Sequence, residues 1–118
     1  MAQYEEFTID KGSDIAIEIH LTDENGNPKD LANFSVAAKL KKNFTAVNAV
    51  DFNSVVTTPA DEGIINISLT NQQTGELQTG RYVYDVEISF VDSDQNTIVE
   101  RVLEGRVQVT PSVTDGAY

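Results

Sequence analysis

Side-chain catalysis needs a nucleophile with a base beside it, two carboxylates held at a working distance, or a metal, and this sequence supplies few of the parts. It has no cysteine, and His20 is its only histidine. In the run Asp14 to Thr22, Ile15, Ile17, Ile19 and Leu21 alternate with Ala16, Glu18, His20 and Thr22, which puts His20 on a wet strand face as a solvated imidazole. A serine triad would need that imidazole beside a serine and a carboxylate, and no Gly-x-Ser-x-Gly elbow occurs. The sequence reads as that of a non-enzyme with no catalytic residue and no cofactor.

Two acidic turns come closest to a metal loop. Asp92, Asp94 and Asn96 place oxygens at alternating positions as a calcium loop does, but Thr97 stands where that loop needs glycine and Leu103 where it needs a bidentate glutamate. Asp23, Asn25 and Asn27 fail in the same way at Pro28 and Phe34. Both stretches read as hairpin turns, with no metal site.

The remaining candidates are contact residues. Lys39, Lys41 and Lys42 form the one basic cluster, suited to an acidic partner or to protecting a strand edge against mispairing. Tyr4 and Tyr118 lie near the two ends, where Met1 to Glu6 and Ser112 to Tyr118 read as exposed segments able to add a strand to a neighbour or order on docking. Tyr82 and Tyr84 belong to a buried stripe, with one hydroxyl bonded to a loop backbone as at a tyrosine corner.

These residues must be held by strands. The 118 residues are 40% hydrophobic, which fits one domain over 1–118 with its core at about 4–110 and a tail at 111–118. Period two dominates. Val36, Ala38 and Leu40 alternate with Ala37, Lys39 and Lys41; Ser54 to Thr58 and Ile64 to Leu69 form a hairpin; Tyr82, Tyr84, Val86, Ile88 and Phe90 share one face from Arg81 to Val91; and Thr97 to Leu103 returns beside them. Within Thr97 to Leu103 the alternation sets Ile98, Glu100 and Val102 against Val99, Arg101 and Leu103. The stretch from Lys42 to Asp51 shows no clear period, and Thr70 to Gly80 supports at most one helical turn. Seven to eight short strands without a long helix predict an all-β chain, a single antiparallel immunoglobulin-like β-sandwich, with a small barrel as the alternative.

Charge narrows the partners. Eight basic against 19 acidic residues give a formal net charge of -11, which would repel a phosphate backbone, so nucleic acid is not an expected partner. No run reaches the roughly 18 apolar residues of a membrane span, and Met1 to Lys11 lack the pattern of a secretion signal, so a soluble chain with no membrane partner is expected.

Phe7, Lys11 to Asp14, Leu21 to Asp23, Gly26 to Pro28 and Asp30 Leu31, followed by Gly63 Ile64, Leu69 Thr70, Gly80 to Val86, Gly105, Val107 and Val109, together resemble the N-terminal domain of phage baseplate upper proteins over roughly Phe7 to Thr110. The resemblance implies an immunoglobulin-like sandwich that acts as a virion structural protein, assembled in the host cytoplasm and docking to other virion structural proteins of a tail or baseplate. It implies no catalytic residues. The sequence ends at Tyr118, without the long segment that follows this domain in many baseplate proteins, so head decoration and neck positions stay open beside the tail. A homo-oligomer is compatible with that role, and a carbohydrate-binding or receptor-binding surface module is the alternative.

Overall fold

Alternating apolar residues make strands because successive side chains leave a pleated backbone on opposite faces. A computed structural model, which describes residues 2–113, contains eight of them: β1 (Gln3–Asp10), β2 (Ile15–His20), β3 (Ser35–Lys41), β4 (Val50–Asp51), β5 (Asn53–Val56), β6 (Ile64–Leu69), β7 (Gly80–Val91) and β8 (Thr97–Thr110). One sheet has the order β1-β8-β7-β3-β4 and the other β2-β6-β5. A single helical turn, α1 (Asn71–Gly75), bridges β6 and β7, started by a capping box in which Thr70 and Gln73 bond each other's backbone N–H groups.

The core lies between the sheets. Ile9, Leu40, Val86, Ile88, Val107 and Val109 from the larger sheet meet Ile19, Ile65, Ile67 and Leu69 from the smaller. Each such side chain contributes about 1.5–3 kcal/mol when fully buried. Tyr82 and Tyr84 are buried with them, and both hydroxyls, rather than one, reach backbone carbonyls: Tyr82 Oη donates to Gln78 O at 2.8 Å and Tyr84 Oη to Glu5 O at 2.9 Å. The first is a tyrosine corner.

Three expectations are corrected. The larger sheet is not wholly antiparallel, because β1 runs parallel to β8 from Gln3 opposite Leu103 to Asp10 opposite Thr110. Gln3 to Glu6 are therefore docked in a sheet and not a loose end; the polar Gln3, Glu5 and Glu6 hide the period of a strand whose only fully buried side chain is Ile9. Finally, Val102 is an extra residue in β8, since Val86 faces Leu103 while Glu87 faces Arg101. This β-bulge breaks the simple alternation and turns Leu103 inward with Val107 and Val109.

The two acidic turns share one geometry. Asp23 Oδ1 accepts from the N–H of Asn25 and Asn27, and Asp92 Oδ1 accepts from the N–H of Asp94 and Asn96. Gly26 and Gln95 occupy the same left-handed position, at φ 82° and 67°. Each loop thus spends its first carboxylate on its own backbone, as an Asx turn does.

Candidate interaction surface

Strand alternation sends Tyr4 and Glu6 of β1, Lys39 and Lys41 of β3, Val83, Asp85 and Glu87 of β7, and Arg101, Glu104 and Arg106 of β8 to the outer face of the larger sheet. All of these but Glu6, together with Phe44, enclose most of a shallow concavity of about 620 Å³. Lys39, Lys41, Arg81, Arg101 and Arg106, five of the eight basic residues, stand on this face of a chain whose net charge is -11.

Those charges are loosely held. Arg101 Nε lies 3.3 Å from Asp85 and its Nη1 3.3 Å from Glu104, while Lys39 Nζ is 3.7 Å from Asp51 of β4. All are solvated pairs of the kind that contribute about 0–1 kcal/mol to folding. Among the described residues Lys41, Arg81 and Arg106 form no ion pair, which leaves their charge for a partner. Tyr4 Oη donates to Glu6 Oε1 at 2.9 Å, and that hydrogen bond, more than any other cause, raises the phenol's pKa above its usual 10. Tyr4 is thus a neutral donor at any ordinary pH.

Of the five residues singled out from sequence, Tyr4, Lys39 and Lys41 converge on this concavity. Lys42 does not: its Nζ sits 4.8 Å above the ring of Tyr82, a cation–π contact at the core's rim. Tyr118 lies outside the described residues. Neither Lys39 nor Lys41 guards an outermost strand, since the two-residue β4 lies beyond β3. Arg101, Arg106 and Glu104 were not foreseen, because alternation gives the face of a residue but not which strands stand side by side. His20, as expected, is exposed on β2, with Nε2 2.6 Å from Glu18. Among the described residues no three His, Asp or Glu side chains cluster as a metal site would require.

No protein-family model matches the sequence, and no curated protein matches it. Solved structures do. Murine CRIg superposes with a TM-score of 0.52 at 12% identity, over 90% of this chain and 92% of that one. The likeness is one of fold alone. An internalin-like protein of Listeria monocytogenes, lmo2027, aligns at 23% identity and TM-score 0.42 over 89% of this chain and 27% of its own. AggA, the major subunit of aggregative adherence fimbriae type I from Escherichia coli, aligns at 11% and 0.43 over 89% of each. The chain is accordingly an all-β, two-sheet protein with immunoglobulin-like structural neighbours.

Proposed function

We propose that this chain is a single immunoglobulin-like domain acting as a non-enzymatic assembly module of a phage particle, which docks to neighbouring virion proteins through the outer face of its larger sheet. The observation that carries the docking face is the gathering of five of eight basic residues there on a chain of net charge -11. Such a face steers an acidic neighbour into one orientation and rejects others. The contact needs no deep pocket, because many copies engaging one particle act at high effective concentration. The phage setting is supported by the residues shared with baseplate upper proteins, from Phe7 through the Gly80 to Val86 strand to Val109. Tail or baseplate is the favoured position, with head decoration or neck as the alternative.

Mass spectrometry of purified particles tests the setting: the chain should be present, and its absence rejects the virion role. The double variant Lys39→Glu, Arg106→Glu tests the face. It should fold normally yet drop out of particles, and undiminished incorporation would reject this surface.

A second reading has one observation in its favour. Tyr4 and Phe44 are exposed aromatics bordering the concavity, a pairing that sugar-binding surfaces use. Binding on a glycan array that is lost in Tyr4→Ala would establish that reading, and silence across diverse glycans would remove it.

A further inference from the structure

The long β7–β8 hairpin outruns its neighbours. β3 pairs with β7 only as far as Ser89, and β1 begins at Gln3 opposite Leu103, so among the described residues nothing pairs with the outer edge of β8 from Thr97 to Arg101. All five of these residues are exposed, including Ile98 at 42% and Val99 at 56%. Other sheet edges are blunted: β4 has two residues, β5 has four and is followed by Pro59, β1 carries Glu5, Glu6 and Asp10, and β2, the remaining outermost strand, carries Glu18 and ends at His20. The β8 edge has no lysine or proline and presents three β-branched residues in succession, Thr97, Ile98 and Val99.

The turn fixes which backbone groups are free. Asp92 N–H donates to Asn96 O at 2.9 Å, so residues 92 and 96 form a hydrogen-bonded pair, and pairs two steps along, 90 with 98 and 88 with 100, do the same. Thr97, Val99 and Arg101 must then turn their N–H and C=O groups away from β7, toward the open side. The bulge at Val102 and the start of β1 close the stretch at one end and the turn closes it at the other.

We infer that this five-residue edge pairs with the same edge of a second copy, antiparallel about a two-fold axis through Val99. In this register Val99 faces Val99 of the second copy, Thr97 faces Arg101, and Ile98 faces Glu100. All three outward-facing residues find outward-facing partners, which gives six backbone hydrogen bonds, and no like charges stand opposite. Shifting the axis to Glu100 sets two carboxylates against each other and drives Thr97 into the position that β1 already holds. Shifting it to Ile98 leaves Arg101 without a partner. The edge is therefore self-complementary in one register, and this pairing stands independently of the docking face proposed above.

Because each copy carries a net charge of -11, association should strengthen as salt rises and screens the repulsion. The absence of cysteine makes the register directly testable in the full chain. Directly opposed, hydrogen-bonded residues have Cα atoms about 5.5 Å apart, within disulfide reach, whereas the two copies of residue 100 would be beyond about 7 Å. Val99→Cys should therefore give a covalent dimer under mild oxidation at least about tenfold faster than Glu100→Cys. Sedimentation of the wild-type chain in 0.5 M salt, a condition set to exceed about three times physiological ionic strength, should show a dimer that Val99→Lys converts to monomer, while the two melting curves coincide in dilute, low-salt solution, where both chains are monomeric. A wild-type monomer at high concentration and high salt, or equal cross-linking at both positions, would overturn the inference.

Discussion

Gly105 is the position where a single methyl group should do the most damage. It lies on the inward side of β8, and a Cβ built on it would stand 1.8 Å from Glu5 O and 2.8 Å from Glu5 C, both backbone atoms of β1. Its backbone is not left-handed, unlike that of Gly12, Gly26, Gly63 and Gly80, so the demand is for room alone. In Gly105→Ala the start of β1 must retreat by about 1.5 Å to restore ordinary contact, at a cost of about 1–3 kcal/mol for overpacking. That retreat also breaks the 2.9 Å bond from Tyr84 Oη to Glu5 O and strands a buried hydroxyl, a further loss of about 1–3 kcal/mol. The expected total is roughly 4 kcal/mol, or a fall in Tm on the order of 10–20 °C for a domain of this size. Urea unfolding of the variant measures the first figure. Hydrogen exchange locates it: Gln3 to Glu6 should lose protection while Ile9 and Asp10 keep theirs. Tyr84→Phe should cost about 1 kcal/mol in the wild type and little in the Gly105→Ala background, since the bond is already broken there. Gly75→Ala, which meets nothing within 4 Å, is the control and should change stability by less than about 1 kcal/mol. A loss below about 1 kcal/mol for Gly105→Ala would refute the view that β1 is seated against this glycine.

Three other outcomes are expected. Gln95→Gly relieves a left-handed residue in the second acidic turn and should raise stability by about 0.5–1 kcal/mol in denaturant titration, whereas Gly26→Gln in the first turn should lower it by a similar amount. Thr74 is fully buried in α1 and its Oγ1 accepts from Gly12 N at 3.0 Å while donating to Ser13 O at 2.8 Å; Thr74→Val keeps the shape and removes both bonds, so it should cost about 1–3 kcal/mol by thermal melting. Burial, with the Glu5 carboxylate next in effect, pushes the Tyr84 phenol up to about 12, so the folded state holds this proton more tightly than the unfolded chain does. Its contribution is fully present below pH 10 and is lost between pH 10 and 12, on the order of 2 kcal/mol, and Tyr84→Phe should flatten the stability curve across that window.

Alternation made most of the strands legible. Ile65, Ile67 and Leu69 in one strand and Tyr82, Val86 and Ile88 in another could be assigned to the core because burying a two-residue rhythm allows one register only. Three features were not legible for a common reason: they depend on a neighbour strand. β1 carries one fully buried residue, its parallel pairing leaves no mark on local sequence, and the bulge at Val102 is visible only when Leu103 is seen opposite Val86. The proposed docking face divides along the same line. Lys39 and Lys41 stand two apart in one strand and were seen as a cluster, but Arg101 and Arg106 join them only because β7 and β8 lie beside β3 and because the bulge sets the phase between those two arginines. Lys42, adjacent in sequence, points the other way onto Tyr82.

Placing most of the positive charge on one side of a strongly acidic molecule gives it a permanent electrical polarity. In the field of a larger acidic body such a particle turns before it touches, arriving with the correct side forward while its remaining surface is pushed away. Ionic strength should then govern how fast copies are recruited more than how firmly a seated copy is retained.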